Sequence, residues 1–154
     1  MEPRLNVPQV APEGYKALIA LEGYLHRTAI EPKLLHLIKF RASQINGCAY
    51  CLDMHSKDAR AVGETEQRLY CLPAWRECPF YTDRERAALE WTEAVTLLTE
   101  GHVPDDVFER VSQQFKGKDL ADLNFAVVAI NAWNRIAVPF RSTPGDYQPP
   151  KRHT

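Results

Sequence analysis

Apolar positions recur at spacings of three and four through nearly the whole chain, and no stretch sustains the two-residue alternation of a half-buried strand. Tyr15, Leu18, Ile19, Leu21 and Leu25 give one apolar face from Glu13 to about Thr28. Glu31-Pro32 restarts the chain, and Leu34, Leu35, Leu37, Ile38 and Phe40 predict a strongly apolar second helix to Gln44, ended by Asn46-Gly47. A third helix is expected from about Cys48 to Val62, closed by Gly63, and a short one from Thr65 through Tyr70. Pro73, Trp75, Pro79 and Phe80 read as a loop with aromatic anchors. Thr82 and Glu85 have capping-box spacing and open a long helix that Gly101 stops. After Pro104, Val107, Phe108, Val111 and Phe115 face inward on another, ended by Gly117. The last helix, Asp119 to about Val138, is apolar nearly all round and is expected to be central, with Pro139 ending it. Residues 1–12 read as an extended lead-in. Residues 141–154 read as a polar, proline-rich tail that only a neighbouring subunit could hold. The fold class is all-α, about six or seven helices in a single domain spanning residues 1–154.

Composition changes this picture only by exclusion. A hydrophobic share of 45% and a charged share of 25% over 154 residues are ordinary globular values. A formal net charge of −1 leaves no basic footprint for nucleic acid. No apolar run approaches the roughly 18 residues of a membrane span, and the first residues lack a signal-peptide layout. Four cysteines are too few for a disulfide scaffold, and their spacing suits a reducing compartment, so a cytoplasmic location is expected.

Candidate chemistry concentrates in one string. Cys48, Cys51 and His55 form C-x-x-C-x-x-x-H directly after the Asn46-Gly47 break. On a helix beginning near Cys48, Cys51 points to about −60° and His55 to about −20° relative to the first thiol, so all three share one arc. Two thiols three residues apart can close a disulfide across a turn, and a histidine at i+4 can pair with the second thiolate. That ranks Cys51 as the attacking thiol, Cys48 as the resolving one and His55 as base or ion-pair partner. Two other readings stand beside it. The cysteines could be small core hydrophobes, or a zinc knuckle completed by His36, Cys71 or Cys78. Cys71 and Cys78 are expected to pack rather than form a second redox pair. Ser43, Gln44 and Asn46 are expected to shape the turn, while Asn131, Asn134 and Arg135 must find partners on an otherwise apolar helix.

The string RASQINGCAYCLDMH, with GETEQRLYCLPAWRECPFYTDRERAALEWTEAVTLL and NAWNRIAV, resembles the alkylhydroperoxidase AhpD-like family of the carboxymuconolactone decarboxylase superfamily over roughly Leu18 to Phe140. The resemblance implies an all-helical subunit that assembles as a homo-oligomer, a trimer or hexamer, with thiol-dependent peroxidase activity and no cofactor or resident metal. In the family scheme the second cysteine attacks the peroxide and the first resolves it, which maps onto Cys51 and Cys48. A family glutamate twelve residues before the first cysteine serves a proton relay; His36 stands there and could serve in its place. Tyr50 replaces a second relay histidine. The implied partners are a hydroperoxide substrate and a dithiol electron donor, with no nucleic acid and no membrane. The alternative is a non-catalytic or redox-sensing helical oligomeric module.

Overall fold

The computed structural model describes residues 2–150, and among these it contains eight α-helices and two single 3₁₀ turns, with no strand. The helices are α1 (Val7–Val10), α2 (Pro12–Leu25), α3 (Pro32–Ile45), α4 (Ala49–Ala61), α5 (Glu66–Cys71), α6 (Asp83–Thr96), α7 (Asp105–Gln114) and α8 (Lys118–Phe140). Their boundaries follow local chemistry. Pro32 opens α3 at a position where a missing N–H costs nothing. The expected Thr82–Glu85 capping box forms with both of its bonds, and Thr65 caps α5 through the Arg68 N–H. Gly63 ends α4 with φ of 89°, a conformation that a Cβ would strain.

The hub is α3, which packs against α4, α6 and α8 and buries residues on nearly every side, from Leu34 through Ile38 to Ala42 and Ser43. It was the last helix that the pattern marked as central. α8 does bury Leu123, Ala126, Val127 and Ile130 against α2, α3, α4 and α6, yet it leaves Phe125, Val128 and Val138 exposed. Its all-round apolarity therefore records one packed face and one bare face. The main core joins Leu25, Leu34, Leu35, Ile38, Trp91, Phe115 and Val127. A second cluster gathers Leu37, Leu69, Leu72, Trp75 and Leu89 beneath α5, and a third holds Ala42, Cys48, Cys51, Ile130 and Ala137.

Four expectations are corrected. Residues 1–12 are not wholly extended: Asn6 caps the short α1, with Pro8 in its first turn. Pro139 lies within the last turn of α8 instead of ending it, and the left-handed Arg141 closes the helix. Phe108 is half exposed, because α7 presents Val111 to the core and the Phe108 ring only reaches the edge of Trp91. The described part of the tail folds back on its own chain. Gly145 N donates to Asp53 Oδ2 at 3.0 Å, Lys57 Nζ donates to the carbonyls of Gly145 and Tyr147, and Tyr147 OH donates to Asp58 Oδ1 at 2.6 Å. Polar side chains on α4 supply the partners that a polar tail needs. Residues 151–154 lie outside the described residues.

Candidate active site

The Asn46-Gly47 turn sets the site. Gly47 takes φ of 63°, which lets the chain reverse within two residues, and Cys48 N returns to the Ser43 carbonyl at 3.0 Å. Cys48 then occupies the N-cap position of α4, and Cys51 and His55 follow on the buried face of that helix. Both thiols are free and almost completely buried, each 1% exposed, between α3, α4 and α8.

The two thiols are neighbours in one buried cluster and titrate against each other. The adjacent Cys51 thiol is the largest influence holding Cys48 down, to about 7. Burial opposes it, while the backbone of Cys51 and Tyr50 at the open helix end and the Asn134 amide favour the anion. The same neighbour pushes the Cys51 thiol upward, and burial adds to that shift. The pair is thus biased toward a Cys48 thiolate. Ser43 and Asn134 support it as a linked polar set. Asn134 Nδ2 donates to Ser43 Oγ at 3.2 Å, Asn46 Nδ2 donates to Asn134 Oδ1 at 2.8 Å, and Ser43 Oγ donates to the Lys39 carbonyl. Ser43 and Asn46, read from sequence as turn residues, also bind the thiol site together.

His55 does not do what its spacing implied. Neither ring nitrogen has a hydrogen-bond partner among the described residues, so it makes no bond to Cys51. Its nearest charged neighbour is Asp58, Nδ1 to Oδ2 at 3.7 Å. His36 joins it from α3, with ring centroids 6.1 Å apart. Burial is the main reason both imidazoles are held neutral: His36 is lowered to about 4, helped by His55, and His55 is lowered against the opposing pull of Asp58. The reason for ranking Cys51 as the stronger thiolate therefore fails, because the imidazole turns toward Asp58 and His36.

Access gives the opposite order. A cavity of about 650 Å³ opens beside the motif, and its wall includes Cys51, His36, His55 and Asp58 but not Cys48. Apolar residues such as Leu5, Ile19, Trp133 and Phe140 make most of its remaining wall, and Tyr147 from the tail closes one side. A buried ion pair, Lys39 with Glu22, also borders it, and Trp133 Nε1 donates to Glu22 Oε1 at 2.9 Å. Cys78 packs against the second cluster, and Cys71 accepts a bond from Gln67. Of the residues sequence reasoning passed over, Asp58 was visible at i+3 from His55. Glu22, Lys39 and Tyr147 had no local signal, since each reaches the site through tertiary packing.

Known proteins share this fold. Residues 12–94 match the model of the carboxymuconolactone decarboxylase family. An uncharacterised Bacillus subtilis (strain 168) protein, YdfG, is 46% identical over 138 residues, covering 90% of this chain and 94% of that one. A crystal structure of ATU0492 from Agrobacterium tumefaciens, a protein of unknown function provisionally assigned to AhpD-type antioxidant defence, is 45% identical. It superposes with a TM-score of 0.90 over 95% of this chain and 100% of its own. The debrominase Bmp8 shares the fold at 19% identity and a TM-score of 0.78, over 88% of this chain and 73% of its own. With its thiol pair at the head of α4 and its all-helical architecture, the chain belongs to the carboxymuconolactone decarboxylase family, as an AhpD-like member.

Proposed function

We propose that the protein is a thiol-dependent peroxidase that reduces organic hydroperoxides through a Cys48–Cys51 disulfide. The observation that carries this reading is the buried, unbridged Cys48–Cys51 pair at the head of α4, of which only Cys51 lies on the cavity wall. Cys48 is the thiol held lower and Cys51 the one on the cavity wall, so the first event is a proton shift. The Cys48 thiolate takes the Cys51 proton, and the Cys51 thiolate attacks the distal peroxide oxygen. The O–O bond breaks, Cys51 becomes a sulfenic acid, and the departing alkoxide takes one proton from water to become the alcohol. Neutral His36 and His55, facing the same cavity, relay that proton. The Cys48 sulfur then displaces the sulfenic oxygen, which leaves as water with the Cys48 proton, and the disulfide closes. A cellular dithiol returns both electrons and restores the pair.

The assignment keeps Cys51 as attacker and Cys48 as resolver, for a different reason from the one its spacing gave. It also places the enzyme in the cytoplasm, where such a disulfide can be reset. We take the working form to be a homo-oligomer joined through the bare face of α8 at Phe125 and Val128.

The test adds a small organic hydroperoxide to reduced protein and follows peroxide loss, with mass spectrometry of the motif peptide. One equivalent consumed per chain with formation of the Cys48–Cys51 disulfide supports the reading. Cys51→Ser should lose at least a hundredfold in rate. Undiminished consumption by Cys51→Ser would overturn it, and oxidation no faster than that of a free thiol would leave a redox-sensing module in its place.

A further inference from the structure

His36 and His55, the relays of the metal-free protein, stand beside a third donor that the thiol chemistry does not use. His36, His55 and Asp58 each offer a ligand atom, and these atoms all lie within 4.8 Å of one another. His36 comes from the hub helix α3, whereas His55 and Asp58 stand one turn apart on α4, so two rigid elements hold the three in place. His55 is 4% exposed with both ring nitrogens lacking a partner among the described residues, and the buried Nδ1 of His36 lacks one as well. Two buried imidazoles with orphaned nitrogens, meeting one carboxylate in the wall of an accessible cavity, are unusual in a core.

We propose that His36, His55 and Asp58 form a binding site for one divalent transition-metal ion of the zinc class. Tetrahedral ligands at metal–donor distances of 2.0–2.1 Å stand about 3.3 Å apart. The 3.7 Å between His55 Nδ1 and Asp58 Oδ2 already approaches that value, and side-chain rotation of His36 supplies the rest. Two imidazoles with one carboxylate are a donor set that zinc and ferrous iron accept, and magnesium or calcium do not. Asp58 has the outer support that metal carboxylates require, through the Tyr147 hydroxyl at 2.6 Å on its other oxygen. The charges around the group, Glu22, Asp58 and Lys39, sum to −1 and so favour a cation. Three protein ligands leave a coordination position directed at the cavity. The site uses neither cysteine, which separates it from a zinc knuckle built on the C-x-x-C pair.

The test is equilibrium binding of Zn²⁺ and Co²⁺ to the full chain carrying Cys48→Ser and Cys51→Ser, so its outcome is independent of any peroxidase activity. The proposal expects one equivalent bound, a Co²⁺ spectrum without sulfur charge-transfer bands, and two paramagnetically shifted imidazole signals by NMR. Adding His36→Gln or Asp58→Asn should weaken binding at least tenfold. The NMR signals decide the matter even where a variant fails to fold. Binding that vanishes once the cysteines are replaced, or that survives both His36→Gln and Asp58→Asn in folded protein, would overturn the assignment.

Discussion

Cys48 and Cys51 are chemically identical side chains that their surroundings make unequal. Cys48 sits at the open start of α4 beside the Cys51 thiol, which holds it down; Cys51 meets the cavity. Reactivity should therefore depend on pH through Cys48. Because the charged form is the reactive one, alkylation of the reduced pair by iodoacetamide should rise as pH climbs through about 7 and level off above it. Cys51→Ala removes the largest favourable contact to Cys48 and should move that midpoint upward, toward the roughly 8.5 of a free thiol. A wild-type midpoint already near 8.5 would show that the neighbouring thiol does not bias the pair. The residue scale also explains what spacing alone misjudged. An i+4 relation brings His55 onto the right face of α4, but ring orientation is decided by what else lies on that face, here Asp58 and, from α3, His36.

At the scale of elements, α4 does two jobs. Its buried face carries the site, and its outer face, with Asp53, Lys57 and Asp58, clasps the tail around Gly145 and Tyr147. The clasp matters because Tyr147, Pro149 and Pro150 form part of the cavity wall. Tyr147→Phe deletes a single hydrogen bond to a carboxylate, expected to cost about 1.5–3 kcal/mol locally. Amide hydrogen exchange at Gly145 and its neighbours should accelerate at least tenfold, while exchange in α3 stays unchanged. Equal protection in wild type and variant would mean that the tail is held by its backbone contacts to Asp53 and Lys57. Composition marked the tail as polar and proline-rich, which is correct. It could not show that α4 presents matching partners within the same chain.

For the molecule as a whole, the Lys39–Glu22 pair ties α3 to α2 beside the cavity, with Lys39 only 3% exposed. Removing one member strands the other's charge, so Glu22→Gln should destabilise the protein by about 3 kcal/mol or more in urea unfolding. The double variant Lys39→Met with Glu22→Gln keeps an acceptor for Trp133 and should recover most of the loss. If Glu22→Gln alone proved neutral, the pair would be solvated and its place in the fold different. The bare face of α8 raises the question of assembly. Val128→Glu sets a charge on an exposed apolar position and should leave the subunit fold intact while shifting sedimentation toward the monomer. An unchanged sedimentation coefficient would move the interface elsewhere. No described helix is long and apolar enough to cross a membrane.

Local chemistry in the sequence determined the helical class, most helix ends and the motif's place at the head of α4. Proline positions, the Thr82–Glu85 box, Gly47 and Gly63 act within a few residues, and so their effects are written in order along the chain. The same holds for Cys48 and Cys51, whose mutual contact is a property of one helical turn. Tertiary structure decided everything that depends on which faces meet. It made α3 rather than α8 the hub, brought His36 to His55, buried Lys39 against Glu22, and folded Tyr147 onto Asp58 across 89 residues of chain. It also decided which thiol sees the cavity. Periodicity tells a helix which side is apolar, but the identity of the surface that covers that side is fixed only when all the helices pack at once.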